Sequence, residues 1–510
     1  MTTTLFAGAK VRVSGGMAEW LLVDDGRILG TGTNDDRPQA DRTVDVEGWL
    51  CPAFCDAHVH LPATGLFAEG LDFRGERSTD RIVDALAATA GAGASILFGG
   101  NFEEPLDRPL TRHELDRAVG DRKALVSRAD MHSCVVSSGL LSELDISDLE
   151  GVDVDGSGVP TGYLREEAAA TAWSAFDQSL TPEAQQQAVR GAVHLAYSKG
   201  IAEVHEMFVV EWRGWSSLEL FLETIEPLAL QVVTYAGTSE VKRVADLGLT
   251  RVGGDFFLDG SFGSHTAWMK EPFVSAPPEG SPAAGISYRS DDELIDFFRA
   301  AQDADMQTGV HAIGDAAVEQ AITAWEKVAE EVGFDVVRGL GHRIEHFECA
   351  SDDHLERAAR LNLGASVQPA FDHYWGGATG LYSERIGPDR AVLMNRFKAM
   401  LDAGLVVGAG SDSTVTPLDP FLQMASLREH HVPEQRVDAA TAFELHTRGG
   451  RLLADSQSTG GSLQQGGPAD LVLLDRDPLE VSGEELRGTK VLGTWIGGLR
   501  VWPPAEAECE

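Results

Sequence analysis

Two histidines separated by one residue lie at the end of the first strongly apolar segment of the chain. They are His58 and His60, and Asp56 lies two residues before His58. Residues two apart in a strand point to the same side, so both imidazoles can face one metal ion. Asp56 could support them through a hydrogen bond. By itself the pair fits two ordinary surface or core histidines equally well, so its interpretation depends on the rest of the chain.

Three further residues with the chemistry of metal ligands end later apolar segments. His311, His346 and Asp412 each close a short run that is typical of a β-strand. The C-terminal ends of the strands of a parallel barrel meet at one rim, where barrel enzymes have their active sites. Nitrogen and oxygen ligands of this kind suit Zn²⁺ or another first-row divalent cation. The predicted metal ligands are His58, His60, His311, His346 and Asp412.

Such a metal site predicts hydrolytic chemistry. A divalent cation with an open coordination position lowers the pKa of bound water to about 7, which makes hydroxide available at neutral pH. We expect Asp412 to take the proton of that water during attack on a carbonyl-like carbon and to pass it to a leaving nitrogen. His311 or His346, if it is not a ligand, could polarise the substrate oxygen. Asp412 and His346 are therefore the predicted catalytic residues.

The elements that must position these residues alternate between apolar β-type runs and helical segments. This alternation is typical of βα units around a parallel sheet. Eight such runs are present, and eight is the strand number of the TIM-like (β/α)8 barrel. We therefore predict an α/β fold built on this barrel. The predicted strands are residues 50–58, 200–205, 229–235, 254–259, 307–311, 343–346, 363–368 and 405–412.

The two chain ends contain short strands and turns instead, with an Asp25-Gly26 hairpin signal near the start. We predict that residues 1–49 and 463–510 share a small β-sandwich, and that residues 50–462 form the barrel. The stretch from about residue 64 to 180 is too long for one crossover between parallel strands. We predict that it forms an inserted subdomain that covers the barrel mouth as a lid.

Charge and hydropathy exclude several partners. The chain of 510 residues has 41 Lys+Arg against 80 Asp+Glu, a formal net charge of -39. Nucleic acids and anionic membranes attract clustered cations, so neither is an expected partner. No window approaches the roughly 18 apolar residues of a membrane span, and no signal-peptide run begins the sequence. We expect a cytoplasmic protein with a small-molecule substrate, and a homodimer remains open.

Eight motifs follow one another along nearly the whole chain: PAFCDAHVH at 52–60, TGYLRE at 161–166, DGS at 259–261, HAIGD at 311–315, RIEH at 343–346, SVQP at 366–369, SD at 411–412 and ADLV at 469–472. Together they resemble the amidohydrolase superfamily, in particular the branch of YtcJ-like proteins and N-substituted formamide deformylases. The resemblance implies a metal-dependent (β/α)8 hydrolase with a flanking β-sandwich that cleaves C–N bonds of amides and related compounds. It also suggests substrate contacts by His265 and Gln368 and a lid contact by Glu166.

One position departs from this branch. The resemblance implies a carboxylated lysine that bridges two metal ions four residues before Asp259, and the residue there is Asp255. An aspartate oxygen lies three bonds from Cα and a lysine carbamate oxygen seven, so at about 1.5 Å per bond the bridge falls short by up to roughly 5 Å. We therefore predict a single ion, most simply zinc. Asp255 could ligate it if the strand shifts inward, hold a water or a substrate amine, or be an ordinary strand residue.

Alternative functions stay open at this point. The same ligands could serve a deaminase that attacks an amidine-type or heterocyclic carbon. A non-catalytic binding protein would explain the missing lysine, but not the presence of all five predicted ligands. Residues 342–346 also fit the H-x-x-E-H pattern of inverted zinc proteases, which requires a helix; Gly339 and Gly341 argue against one there. Aromatic residues near predicted loop ends suggest a partly apolar pocket: Phe262, Trp268, Phe371, Tyr374 and Trp375.

Overall fold

Eight parallel strands, hydrogen-bonded in chain order, form the central sheet. The computed structural model describes residues 3–13, 15–92, 97–129, 131–147, 149–278 and 281–504. A bridge between Val59 and Ser413, with a hydrogen bond from the Asp412 amide to the His58 carbonyl, brings the first strand against the last. The predicted barrel is confirmed. Its strands are Phe54–Val59, Ile201–Phe208, Gln231–Ala236, Arg251–Phe257, Gln307–Ala312, Arg343–His346, Gly364–Val367 and Val407–Ala409.

Two strands differ from their predicted bounds. The predicted first strand is divided, because Trp49–Pro52 pairs with the sheet of the chain ends and only Phe54–Val59 enters the barrel. The division follows Pro52, which has no amide hydrogen to donate to a strand ladder. The second strand continues to Phe208, so His205 lies inside the barrel rather than at its mouth, where a strand ending at residue 205 would have placed it.

Helices surround the barrel and turn their apolar faces to it. The longest, Asp315–Val332, buries Val318, Ile322 and Trp325 against the strands. The helices outside the insertion are Leu61–Glu69, Pro182–Ser198, Val210–Arg213, Trp215–Ile225, Val241–Asp246, Asp291–Asp303, Asp315–Val332, Phe334–Leu340, Asp352–Arg360, Pro369–Trp375, Leu381–Ile386, Pro388–Ala391, Phe397–Asp402, Pro420–Glu429, Ala439–Glu444, Leu445–Gly449 (a π-helix), Gly450–Ala454 and Gly483–Arg487, with single 3-10 turns at Asn34–Asp36 and Pro433–Gln435.

Strands from both chain ends join in one mixed sheet of eight, as predicted. Phe6, Leu21 and Trp495 belong to its separate apolar core, which brings residues from the two ends into contact. Residues 1, 2, 14 and 505–510 of the predicted end unit lie outside the described part of the chain. The strands are Thr4–Val13, Gly16–Asp24, Arg27–Gly32, Arg42–Asp45, Trp49–Pro52, Leu471–Leu474, Val491–Ile496 and Leu499–Trp502.

The insertion, which follows the first barrel strand in the sequence and precedes the second, forms a third sheet of six strands. Phe98, Leu125 and Trp173 belong to one of its two apolar clusters. Across the described residues, no helix is long and apolar enough to cross a membrane. The insertion contains the strands Leu71–Asp72, Phe98–Phe102, Leu125–Arg128, Ser133–Val136, Val152–Val154 and Pro160–Arg165, and the helices Thr79–Gly91, Arg112–Val119, Ser138–Leu141 and Glu166–Gln178.

Candidate metal centre

Six side chains converge at the C-terminal rim of the barrel, and we call them the rim cluster. Each lies at or just beyond the end of a barrel strand, so the parallel strand order brings together residues that are far apart in sequence. The cluster contains all five predicted ligands and adds Asp255, at its centre. Its members are His58, His60, Asp255, His311, His346 and Asp412.

The carboxylate of Asp255 faces two pairs of histidines. Its Oδ2 lies 3.0 Å from His60 Nε2 and 3.4 Å from His58 Nε2. Its Oδ1 lies 3.5 Å from His346 Nε2 and 3.7 Å from His311 Nδ1. The expectation that this side chain is too short to reach both sides of the site is wrong.

A bulge in the fourth strand explains the reach of Asp255. Gly253 and Gly254 have φ of 88° and 73°, in the left-handed region that favours glycine. Between Gly253 and Phe257 the pairing register shifts, so that the fourth strand contains two more residues than its partner there. A Cβ on Gly253 would lie 2.1 Å from the Gly309 carbonyl oxygen. The close approach thus requires glycine at this position, and the bulge is the local feature that accompanies the reach of Asp255 to both pairs of histidines.

Asp412 completes the cluster from the other side. Its Oδ1 lies 3.2 Å from His60 Nε2 and 3.6 Å from His58 Nε2. The backbone at Asp412 is left-handed, with φ of 50°, and its amide donates to the His58 carbonyl. Nearby, the buried Asp56 carboxylate accepts from the amides of Ser411 and His58. Asp56 thus ties the first strand to the segment after the eighth, and within the described chain its hydrogen bonds go to backbone amides and not to an imidazole.

The outer nitrogen of each rim histidine donates to a protein acceptor. His58 Nδ1 donates to a carboxylate, Glu345 Oε2, at 2.9 Å. Arg343 holds the same carboxylate with two hydrogen bonds. These acceptors select the tautomer in which the inner nitrogen carries a lone pair. The other three pairs are His60 Nδ1 with the Met207 carbonyl at 2.9 Å, His346 Nδ1 with Gln368 Oε1 at 2.8 Å, and His311 Nε2 with the Gly260 carbonyl at 3.3 Å.

The inner face of the cluster is strongly negative. Burial lowers the pKa of His60, but the neighbouring Asp255 and Asp412 carboxylates outweigh it and raise the pKa to about 10. Burial raises the pKa of Asp255, but the neighbouring histidines outweigh it and hold the pKa well below its usual value. Both shifts mean that the carboxylates attract a positive charge between them and the imidazoles.

The inward-facing atoms fit a divalent cation. Buried polar atoms are nearly always hydrogen-bonded, and each exception requires an explanation. Within the described residues, five buried atoms of the cluster have no hydrogen-bond partner, and all five belong to the ligand types of first-row metals. They are His58 Nε2, Asp255 Oδ1, His311 Nδ1, His346 Nε2 and Asp412 Oδ1.

Comparison with known proteins agrees with this geometry. The sequence profile of the amidohydrolase family matches residues 42–502. The chain belongs to the amidohydrolase family. Among its relatives are YtcJ of Bacillus subtilis strain 168, 26% identical over 96% of both chains, and the N-substituted formamide deformylase of Arthrobacter pascens, 26% identical over 94% of both. A solved structure of an uncharacterized metal-dependent hydrolase from Pyrococcus furiosus, 26% identical, covers 94% of this chain and 100% of its own, with a TM-score of 0.74.

The predicted substrate-binding residues of this amidohydrolase, apart from Asp255, have other contacts in the structure. Gln368 orients His346 through its amide oxygen. Glu166, at the start of an insertion helix, accepts hydrogen bonds from Thr266 at 2.9 Å and Tyr288 at 2.6 Å on the barrel side. His265 lies against Ser275 Oγ at 2.9 Å, outside the wall of the cavity. The substrate roles of these residues stay predictions.

A cavity of about 490 Å³ lies over the rim cluster of the amidohydrolase. The barrel and the insertion both line it, and Arg128, His132 and Trp173 come from the insertion side. Four of the five predicted aromatic residues are in its wall, whereas Trp268 packs on the barrel core. The site is therefore partly apolar, as expected, and its aromatic side chains are Trp173, Trp212, Phe257, Phe262, Phe371, Tyr374, Trp375 and Tyr382.

The inverted zinc protease pattern does not describe residues 342–346. Arg343–His346 is the sixth barrel strand, so His342 and His346 do not share a helix face. The buried His342 stacks on Trp325 with ring centroids 3.8 Å apart, and its Nδ1 accepts the Thr308 amide hydrogen. His342 is a packing residue below the rim.

Two features of the site were missed from the sequence. Glu345 orients His58 by accepting its hydrogen bond from 287 positions away, and no local sequence pattern predicts a pair so far apart. The bulge that carries Asp255 did have a local signal, because two consecutive glycines inside a strand pattern are typical of a bulge or a close backbone approach. The pair Gly253-Gly254 is that signal.

Proposed function

We propose that this amidohydrolase is a divalent-metal-dependent hydrolase that cleaves a C–N bond, such as that of an amide or N-formyl group, in a small molecule. The observation that carries the proposal is the set of five unpartnered, inward-facing donor atoms at the rim. The similarity to an N-substituted formamide deformylase supports the C–N substrate class. The partly apolar cavity above the rim supports a small organic substrate.

The rim cluster would hold the metal, for which we propose zinc. A bound divalent cation would supply Lewis-acid polarisation and an acidified water. The four outer hydrogen bonds hold the imidazoles so that their inner nitrogens do not need to reorganise. His346 fits a ligand better than a polarising group, because Asp255 faces its Nε2 and Gln368 accepts from its Nδ1.

Asp412 is the proposed proton acceptor. It lines the cavity, and it approaches His58 and His60 with a single oxygen. A carboxylate between the rim and the substrate can take the proton of the attacking water and return it to the leaving nitrogen. The left-handed backbone at Asp412 directs this side chain across the rim, and such strain is typical of functional positions.

The position of Asp255 bears on the number of ions. A single ion was expected because the side chain was thought too short to bridge, and that premise no longer holds. One oxygen faces His58 and His60, and the other faces His311 and His346. We propose that the site would hold two ions, with His58 and His60 on one side of Asp255 and His311 and His346 on the other as their ligands. Elemental analysis of protein purified without chelator tests this: about two equivalents per chain support the bridge, whereas one equivalent at full activity favours the single-ion site.

The activity test is a screen of N-formyl, N-acyl and carbamoyl compounds with metal-replete enzyme. We expect hydrolysis to an acid and an amine, and its loss in His60→Ala and Asp412→Asn. If either variant kept full activity, the site assignment would be wrong. Ammonia released from an amidine-type or heterocyclic substrate would favour the deaminase alternative. Absence of turnover on every class would favour a binding protein. The cytoplasmic location and a homodimer stay predictions from the sequence.

A further inference from the structure

Glu348 is a buried carboxylate in the wall of the cavity over the rim cluster. Glu348 is only 3% exposed, and its Oε2 has no hydrogen-bond partner in the described structure. It follows His346 by two residues. Between them the backbone is left-handed twice, with φ of 68° at His346 and 52° at Phe347. This turn at the end of the sixth strand places both His346 and Glu348 in the same wall.

The other carboxylates of the wall, outside the rim cluster, are paired with arginines. No ion pair is found for Glu348 within the described chain. An ionised carboxylate away from water is costly unless a cation accompanies it. The pairs are Asp177 with Arg213 at 2.8 Å, Glu103 with Arg77 at 3.0 Å, Glu104 with Arg128 at 3.6 Å, and Glu384 with Arg385 at 2.7 Å.

The surroundings of Glu348 suit an organic cation. Phe371 and Tyr382 line the same cavity, and aromatic faces attract cations. The Tyr382 hydroxyl and Asn395 Nδ2 are also buried without a hydrogen-bond partner. The backbone amide of Asn395 donates to the Glu348 carbonyl, which holds the two residues side by side. A carboxylate, a phenol and an amide thus share one place beside the rim.

We propose that Glu348 and Tyr382 form a subsite for a protonated amine carried by the substrate. The ammonium group would pair with the Glu348 carboxylate and lie against the aromatic wall, with the scissile bond toward the rim cluster. This inference rests on the proposed function for the reaction, but the binding it describes does not require turnover. It narrows the substrate class to C–N compounds that carry a second, basic nitrogen.

A binding experiment tests the subsite without catalysis. Calorimetric titration of the metal-loaded enzyme would compare cyclohexylammonium with cyclohexanol, which has the same ring and no charge. Cyclohexyltrimethylammonium serves as a cation that cannot ligate a metal. We expect both cations to bind at least about tenfold more tightly than the alcohol, and Glu348→Gln to abolish this preference. Glu384→Gln is the matched control, since Glu384 lies in the same wall beside Arg385, and it should keep the preference.

Three results would overturn the proposal: equal binding of cations and alcohol by the wild type, an intact preference in Glu348→Gln, or an equal loss in Glu384→Gln. The wild-type comparison stands even if a variant fails to fold.

Kinetics give a second test of the subsite. N-(ω-aminoalkyl)formamides of two to six methylenes should exceed the matching N-alkylformamides in kcat/KM by about tenfold or more, and only Glu348→Gln should remove the difference. Selective binding of cations without hydrolysis of any formamide would support the subsite and count against the proposed reaction.

Discussion

The rim cluster and a second cluster deeper in the barrel both consist of residue types that bind metal ions. We call the second one, formed by Cys55, Glu203 and His205, the lower cluster. In both places groups of three side chains offer metal-ligand atoms within 4.8 Å of one another, and all of these residues except the half-buried His60 are buried. Among the described residues, five inward atoms of the rim have no hydrogen-bond partner, whereas the side-chain atoms of the lower cluster are paired.

Arginines make the difference. Arg343 donates to His205 Nδ1 at 2.8 Å, so His205 Nε2 bears the hydrogen and donates to Glu203 at 3.4 Å. Arg451 pairs with the other oxygen of Glu203 at 3.2 Å. The lower cluster therefore has its cations already, in the form of guanidinium groups. Residue types and spacing do not make a metal site unless donor atoms are left unpaired and aimed at a common point.

The largest expected effect separates the two clusters directly. His58→Ala should lose the bound metal and lower activity by about 10³-fold, a loss typical of a single catalytic group. His205→Ala should keep the metal content and instead lower the free energy of unfolding by about 1–3 kcal/mol, because Arg343 loses an acceptor. Elemental analysis and urea denaturation measure both. Loss of metal in His205→Ala would show that the clusters are not distinct.

Removing the guanidinium of the lower cluster tests its structural role. Arg343→Met leaves Glu345 buried without its cation and removes the donor to His205. We expect the free energy of unfolding to fall by about 3–5 kcal/mol, the usual cost of breaking a buried ion pair. Denaturant titration measures this. A change below about 1 kcal/mol would mean that the lower cluster is not held by its charges.

The bulge under Asp255 gives a smaller and more specific effect. Gly254→Ala places a Cβ 2.5 Å from Met207 Sδ and 2.8 Å from Tyr235 Cβ, in a left-handed backbone. We expect metal affinity to fall by about 10–100-fold, the scale seen when the support of a ligand is lost. Gly248→Ala is the matched control, with φ of 78° and nothing within 4 Å of the added atom. Equal metal affinity in the two variants would refute the role of the bulge.

The smallest predicted effect is a pH dependence of stability. Burial lowers the pKa of His342 to about 3, below its unfolded value of about 6.5. The unfolded chain therefore binds a proton first as pH falls, and stability decreases from about pH 6.5 downward. The difference in unfolding free energy between wild type and His342→Gln should change by up to about 1.4 kcal/mol per pH unit. A constant difference between pH 6.5 and 4.5 would contradict the prediction.

Local patterns predicted much of the fold and the outline of the site. Short apolar runs indicated all eight strands, because a strand buried in a barrel needs apolar side chains along its length. Four histidines and Asp412 could be assigned to one rim because each ends such a run, and parallel strands bring their ends together. The contact of the Asp255 carboxylate with histidines on both sides of the site could not be predicted in this way, since it depends on the backbone position of the fourth strand relative to its neighbours.

The sequence by itself determined which residue types end the barrel strands and so which metal-ligand atoms meet at the rim. Only the tertiary structure decided which of those ligand atoms remain without a hydrogen-bond partner. The partners of His58 and His205, which are Glu345 and Arg343, lie more than one hundred positions away. The inward position of Asp255 depends on contacts of Gly253 and Gly254 with other strands. Pairing and reach arise from distances between remote segments, and those distances exist only after the barrel has closed.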